Sequence, residues 1–127
     1  MNSTEMKHQL EERTIRFSVS VVKTLGKHSS SPTLKPLIIQ IIRSATSVGA
    51  NYAEANNGSS RADFKNKMYI CKKEAAETVY WLKVLKELIT HEDLSHLSTE
   101  ARELYLILQK ATNTMKMQDE NVSNTKY

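Results

Sequence analysis

Hydrophobic side chains recur at steps of three and four residues along most of the chain, which places them on one face of an α-helix. The clearest stripe lies between residues 33 and 57 and consists of Leu34, Leu37, Ile38, Ile41, Ile42, Ala45, Val48 and Tyr52. A second stripe lies between residues 61 and 90 and consists of Phe64, Met68, Cys71, Ala75, Thr78, Leu82, Leu85 and Ile89. Both segments are therefore predicted to be amphipathic helices. Ser60, with Asp63 three residues later, is predicted to cap the second of them.

Weaker periodicity predicts two further helices, one at each end of the chain. The first spans residues 4–25, and Gly26 is placed to end it in a left-handed conformation. Its predicted inward face consists of Ile15, Val19 and Val22, flanked by Phe17, Val21 and Leu25. The last helix spans residues 98–115, begins at Ser98 or Thr99, and buries Ala101, Leu104, Leu108, Ala111 and Met115. Residues 91–97 are predicted to form a loop. Residues 117–127 have no apolar face and are predicted to be disordered.

Short connections between consecutive helices favour antiparallel neighbours. The predicted fold is therefore all-α, an antiparallel up-down-up-down four-helix bundle over residues 1–116. The composition agrees, because 127 residues suit one domain and only 3 Gly and 2 Pro are available for turns. Sandwiches, barrels and glycine-looped nucleotide folds need more turn residues than this.

Cysteine content and hydropathy indicate the compartment. The single cysteine, Cys71, excludes an intramolecular disulfide and any multi-cysteine metal site, and its place on a core stripe predicts a buried thiol. The polar, acid-containing amino terminus resembles neither a signal peptide nor a transit peptide. No run of about 18 apolar residues is present to cross a membrane. We therefore expect a cytoplasmic protein without membrane association.

The net charge of +4 permits an acidic partner, and the third predicted helix carries a basic side. The cations that cluster within about 60° of the helical wheel are Arg61, Lys65, Lys72, Lys83 and Lys86. Tyr69 and Tyr80 lie near the edge of this cluster. Two interpretations remain open: an ordinary solvated lysine face, or a nucleic-acid-binding stripe that contacts phosphates while the tyrosines stack on unpaired bases.

A polar stripe runs along the second predicted helix and consists of Gln40, Arg43, Ser47, Asn51 and Glu54. Small side chains crowd the same segment at Ser44, Ala45, Ser47, Gly49, Ala50 and Ala53. The stripe is either a solvated surface or a polar contact with a neighbouring helix or subunit, which small residues allow to approach closely. In the second case Arg43 is expected to pair with Glu74 or Glu77.

The third predicted helix has a second apolar side, formed by Ile70, Trp81, Val84 and Leu88 with Glu77 among them. A bundle core that wraps widely around this helix explains part of this second apolar side. A homo-oligomer interface explains the rest and is the interpretation we favour, because tryptophan is a frequent interface anchor.

Catalytic and metal-binding patterns are absent from the sequence. The four histidines, His8, His28, His91 and His96, lie near predicted helix ends or in loops without metal-ligand spacing. Di-metal bundles use a Glu-x-x-His motif on each of two helices, and this sequence has that spacing only once, at Glu5 and His8. We therefore expect a protein that is not an enzyme and that carries no metal and no cofactor.

The polar and apolar positions of the two central helices resemble those of bacterial four-helix-bundle proteins encoded in intervening sequences of 23S ribosomal RNA genes. The matching residues are Gln40, Arg43, Ser44, Ser47, Val48, Asn51, Glu54, Glu77, Thr78 and Trp81. The resemblance covers about residues 10–115, and Ala55 departs from it where the family often has glycine. It implies a ring-like homopentamer that associates with nucleic acid and has no known catalytic residues. A related branch resembles the accessory proteins of diversity-generating retroelements, which bind a reverse transcriptase.

Together these features predict a non-enzymatic oligomer that binds nucleic acid, RNA in particular, through its basic side with low sequence specificity. The alternative is a protein-interaction scaffold or accessory subunit that partners a reverse transcriptase.

Overall fold

The computed structural model describes residues 2–28 and 30–125, and these residues form four α-helices. They are α1 (Ser3–Gly26), α2 (Lys35–Asn56), α3 (Arg61–Leu88) and α4 (Glu92–Thr125). Each helix packs on the next along the chain, and α1 also packs on α4, which closes the bundle. The predicted all-α four-helix bundle is confirmed, and the bounds of α1, α2 and α3 lie within two residues of the predicted ones.

Local capping explains where the helices begin. The Asn2 side chain accepts a hydrogen bond from the backbone N–H of Glu5 at 2.8 Å, at the start of α1. Ser60 accepts one from the N–H of Asp63 at 3.1 Å, as the sequence predicts for α3. Pro36 occupies the first turn of α2, where a missing N–H costs no intrahelical bond. These contacts supply partners for backbone groups that a helix end leaves free.

The core consists of two clusters stacked along the bundle. All four helices contribute buried side chains to one of them: Phe17, Val21, Leu25, Ile38, Ile41, Ala45, Leu82, Leu85, Leu94, Leu97, Ala101 and Leu104. The other draws its buried side chains from α2, α3 and α4 only: Val48, Tyr52, Ala55, Met68, Cys71, Ala75, Leu108 and Met115. The amino-terminal half of α1 adds only the half-buried Leu10 to the second cluster.

The predicted inward face of α1 is wrong in part. Phe17, Val21 and Leu25 are buried, but Ile15, Val19 and Val22 are 50%, 46% and 45% exposed. At 100° per residue the centres of the two sets lie roughly 125° apart on the helix, so one packing face does not bury both. The core side of α1 is completed by two buried threonines, Thr14 and Thr24.

Helices α1 and α2 approach each other closely on the core side of α1. A Cβ on Gly49 would stand 2.8 Å from Oγ1 of Thr14, so the two helices meet closely at this pair. The Thr14 hydroxyl donates to the backbone oxygen of Glu11 at 2.6 Å, which allows it to be buried without an unpaired polar group. Small residues of α2 thus serve contacts within the bundle.

The left-handed conformation predicted for Gly26 is also wrong. Gly26 is the last residue of α1, and no glycine among the described residues has a positive φ. The chain instead leaves the helix through Lys27 in a right-handed conformation, and the N–H of His28 donates to the oxygen of Leu25 at 3.0 Å. A tight turn of this kind needs no left-handed residue.

Helix α4 is longer than predicted at both ends. It begins at Glu92, inside the predicted loop, because Leu94 and Leu97 are core residues that extend the apolar stripe backwards. It continues to Thr125, through a segment predicted to be disordered, because no Gly or Pro interrupts it and Asp119 pairs with cations of α3. The last two residues of that predicted tail lie outside the described residues. No helix in the described part of the chain is long and apolar enough to cross a membrane.

Candidate nucleic-acid interface

The structure places the predicted cations along α3, and we call Arg61, Lys65, Lys72, Lys83 and Lys86 the basic face. Arg61 and Lys86 are separated by about 37 Å of helix. Arg61, Lys83 and Lys86 are exposed, and Lys65 and Lys72 are half-buried.

One end of the basic face is neutralised within the chain. The Asp119 carboxylate, on α4, pairs with Nη2 of Arg61 at 3.4 Å and with Nζ of Lys65 more closely. The hydrogen bond from Lys65 holds the pKa of Asp119 below its usual value. Sequence reasoning missed this residue because it lies in the segment that was predicted to be disordered.

The other end of the basic face is free. Lys72, Lys83 and Lys86 make no ion pair with any described residue. Both tyrosines at its edge are exposed, Tyr69 by 41% and Tyr80 by 59%. The Tyr80 ring meets Trp81 edge to face with centroids 5.0 Å apart, an arrangement that leaves much of the tyrosine ring in solvent. Three unpaired cations and two accessible rings therefore share one side of α3.

The polar stripe of α2 ties α2 to α3 through Arg43. Its Nη2 donates to Oε2 of Glu77 at 2.7 Å, and its Nη1 donates to the Glu74 carboxylate at 3.3 and 3.4 Å. The expected pairing with these glutamates is therefore present, and both carboxylates take part. Hydrogen bonds from Arg43 and then Trp81 lower the pKa of Glu77. Gln40 joins this group by accepting from Nε of Arg43 at 3.4 Å.

The remaining residues of the stripe are also engaged within the chain. Ser47 donates to the backbone oxygen of Arg43 at 2.7 Å, and Asn51 donates to that of Ser47 at 2.8 Å. Glu54 pairs with Lys67 of α3 at 2.6 Å. The stripe thus includes two contacts with a neighbouring helix of the same subunit, at Arg43 and at Glu54.

The second apolar side of α3 is partly covered by the bundle itself. Trp81 is half-buried against the core, and its indole N–H donates to Oε1 of Glu77 at 3.2 Å. Ile70 and Val84 are half-buried, whereas Leu88 is exposed. The larger exposed apolar stripe lies on α1, at Ile15, Val19 and Val22. Next to it, Ala50 and Ala53 of α2 line a shallow furrow between the two helices.

An open groove of about 820 Å³ lies beside the amino-terminal half of α1 and borders the second core cluster. Its apolar lining consists of Met6, Leu10, Tyr52, Phe64, Met68, Ile107 and Ala111. Lys7, Arg13 and Arg16 line it as well, and Arg13 is paired with Glu100 and Glu103. The groove was not predicted from the sequence. An assignment of helix faces does not say along how much of its length each helix packs on its neighbours.

Candidate ligands for a metal do not converge in the described part of the chain, where no group of three or more His, Cys, Asp or Glu side chains could hold an ion. The rings of His28 and His91 meet edge to face with centroids 5.4 Å apart. Cys71 is buried, and burial raises the pKa of its thiol to about 12. This thiol is a core side chain rather than a reactive group.

Comparison with known proteins identifies a family and a similar solved structure. A family model described as 23S rRNA-intervening sequence protein matches residues 6–110. A crystal structure of a protein of unknown function from the S23 ribosomal protein family of Bacteroides thetaiotaomicron is 33% identical, with a TM-score of 0.71. The match covers 84% of this chain and 97% of that one. No curated protein matches the chain.

Proposed function

Because the chain belongs to the family of 23S rRNA-intervening sequence proteins, we propose that it is a non-enzymatic protein that binds RNA through its basic face. The observation that carries the proposal is the row of Lys72, Lys83 and Lys86, which no carboxylate neutralises within the described chain. Lys72 and Lys86 are separated by about 21 Å of helix, which is long enough to follow several successive phosphates.

The chemistry of the face favours phosphate contacts over base recognition. Lysine ammonium groups act as point charges, and phosphate contacts position a nucleic acid without reading its sequence. Exposed Tyr69 and Tyr80 can stack on unpaired bases, which every base permits. We therefore expect low sequence specificity and a preference for RNA with unpaired segments over duplex DNA.

The proposal includes assembly into a homo-oligomer, a pentamer as the family resemblance implies. A second copy of the chain is the proposed partner of the exposed stripe Ile15, Val19 and Val22, because three large apolar side chains in a row are costly to leave in water. A ring would repeat the basic face and so strengthen a modest patch. The cytoplasm is the compartment that this proposal implies.

Fluorescence anisotropy with a labelled structured RNA and a matched DNA duplex tests the proposal, at about 50 and 200 mM salt. The variant K72E/K83E/K86E should stay folded and lose most of its RNA affinity. A matched control, K23E/K27E/K35E, changes the net charge equally on exposed lysines outside the basic face and should bind nearly as well as the original chain. Equal loss in both variants would mean that overall charge, not the basic face, attracts RNA.

The second candidate function is a scaffold or accessory subunit of a reverse transcriptase, and the apolar groove favours it. The groove presents Leu10, Phe64 and Ile107. The cations Lys7 and Arg16 at its lining make no ion pair with any described residue and outnumber the one carboxylate there, Glu12. An acidic amphipathic segment of a partner protein fits this combination of apolar lining and positive charge.

Gene neighbourhood and co-purification distinguish this candidate. A reverse-transcriptase gene beside this one favours it, whereas a location within a ribosomal RNA gene favours the first proposal. The neighbouring enzyme should co-purify with the wild-type chain and with K83E, a change on the basic face. It should not co-purify with I107E, a change in the groove. Retention with both variants would exclude the groove as the docking site.

A further inference from the structure

One carboxylate of α4 lies between two cations at the amino-terminal end of the basic face. Asp119 accepts from Arg61 at 3.4 Å and from Lys65 more closely, and the three side chains are 35%, 58% and 32% exposed. We infer that Arg61 and Lys65 form a two-point phosphate site that Asp119 occupies in the free protein. RNA must displace this carboxylate to use the whole basic face. This inference rests on the proposed function.

The chemistry of the pair supports a phosphate ligand. A guanidinium and an ammonium that converge on one anionic group offer several N–H donors, and phosphate oxygens accept such bonds as carboxylate oxygens do. The cations lie one helical turn apart on α3, so both are held in place by the same rigid element. A phosphate therefore finds the site already assembled and needs only to replace the carboxylate.

The carboxylate is held weakly enough to be displaced. Ion pairs between solvent-exposed side chains contribute little to stability, and salt screens them further. Met115 is the last buried side chain of α4 among the described residues. The end of α4 beyond it therefore rests on surface contacts, and segments of this kind open at low cost.

Displacement would also change the surroundings of a stacking residue. Tyr69 lines a surface pocket of about 430 Å³ together with Lys116, Asp119, Glu120, Ser123 and Asn124 of α4. Movement of the end of α4 away from α3 therefore exposes two cations and more of an aromatic ring together. These are the two kinds of contact that single-stranded RNA uses.

Two isosteric substitutions in adjacent residues test the inference. Asp119→Asn removes the carboxylate that occupies the site, and Glu120→Gln removes a neighbouring carboxylate that makes no ion pair with any described residue. Both variants raise the net charge by one. We expect D119N to bind a labelled structured RNA about three- to tenfold more tightly at 50 mM salt, and E120Q to stay within about twofold of the wild type. The dependence of log affinity on log salt should steepen in D119N only.

A second pair of variants assigns the gain to the two cations. In the background R61Q/K65Q, the further change D119N should give no gain in affinity. Equal gains in D119N and E120Q, or a gain that persists without Arg61 and Lys65, would overturn the inference. Circular dichroism and thermal melts establish that each variant is folded. If the wild type binds RNA and D119N binds no tighter, the inference alone fails; if neither binds, the proposed function fails with it.

Discussion

The side chain of Thr14 occupies the space that a Cβ on Gly49 would need. The distances from that Cβ position are 2.8 Å to Oγ1 and 2.9 Å to Cβ of Thr14, both shorter than a normal contact. α1 and α2 are thus held together at a point where one residue has no side chain. Since Gly49 lies inside a helix, where glycine is unfavourable, its value must come from this close approach.

Gly49→Ala is therefore expected to destabilise the fold by about 1–3 kcal/mol, because overpacking outweighs the gain in helix propensity. Urea unfolding followed by circular dichroism measures the change. Gly26→Ala is the control, because its Cβ would meet no atom within 4 Å, and it should leave stability equal or slightly higher. The double variant G49A/T14G removes both Thr14 atoms that the new Cβ would meet, so its destabilisation should be smaller than the sum of the two single effects, and additive effects would contradict the contact.

A second prediction concerns Arg43. Its removal leaves Glu74, which is only 12% exposed, next to Glu77 without a cation, so Arg43→Gln should cost about 0.5–2 kcal/mol. Fluorescence of Trp81, which donates to Glu77, reports the unfolding transition. Lys73→Gln, at an exposed lysine of α3 that makes no ion pair with any described residue, is the control and should be nearly neutral.

The same group makes stability depend on pH. Since the folded protein lowers the pKa of Glu77, its contribution is complete above the unfolded pKa, near 4.5, and is lost as pH falls through the lower folded value. The stability difference between the wild type and R43Q should therefore shrink as pH decreases from about 6 to 3. A difference that stays constant over this range would contradict the role of the Glu77 carboxylate.

The buried thiol supplies a further prediction. With its pKa raised to about 12 by burial, Cys71 should react with a thiol reagent at pH 8 only as fast as the protein unfolds. The reaction should become immediate in concentrated urea. A rapid reaction under native conditions would mean that the core around Cys71 opens more readily than its packing implies.

The exposed stripe of α1 leads to a prediction about assembly. Light scattering should detect an oligomer for the wild type and a lower mass for I15K/V19K, because two charges would then be buried at the contact. Ile39, which is 54% exposed on α2, provides the control variant I39K, expected to leave the mass unchanged. An unchanged mass for I15K/V19K would remove this stripe from the interface.

The bundle itself was predictable because α2 and α3 each carry a core stripe that recurs at helical spacing. The face of α1 was less predictable, since Ile15 and Val19 are as hydrophobic as Phe17 and Val21 and only packing selects between them. Sequence periodicity also gave no sign that two threonines, Thr14 and Thr24, complete its core side.

The candidate interface was predictable in position but not in electrostatic state. The residues of the basic face lie on α3 as expected, and Arg43 meets its expected glutamates. The pairing of Arg61 and Lys65 with Asp119 depends on where α4 ends, and a segment without an apolar face gives no periodic signal for that. Long-range ion pairs are set by the tertiary arrangement, so they could not be derived from local spacing.

Helix α1 contributes three buried side chains to the first core cluster and none to the second. Its two halves should therefore differ in how readily they open locally. Backbone amides between residues 3 and 12 belong to a stretch without a fully buried side chain, whereas those from Thr14 to Leu25 are anchored by five buried residues. Hydrogen exchange should therefore proceed from the first turns of α1 and reach the second half only with global unfolding. A protease should cleave the protein from the same end, and cleavage should stop at Thr14, the first buried residue of α1.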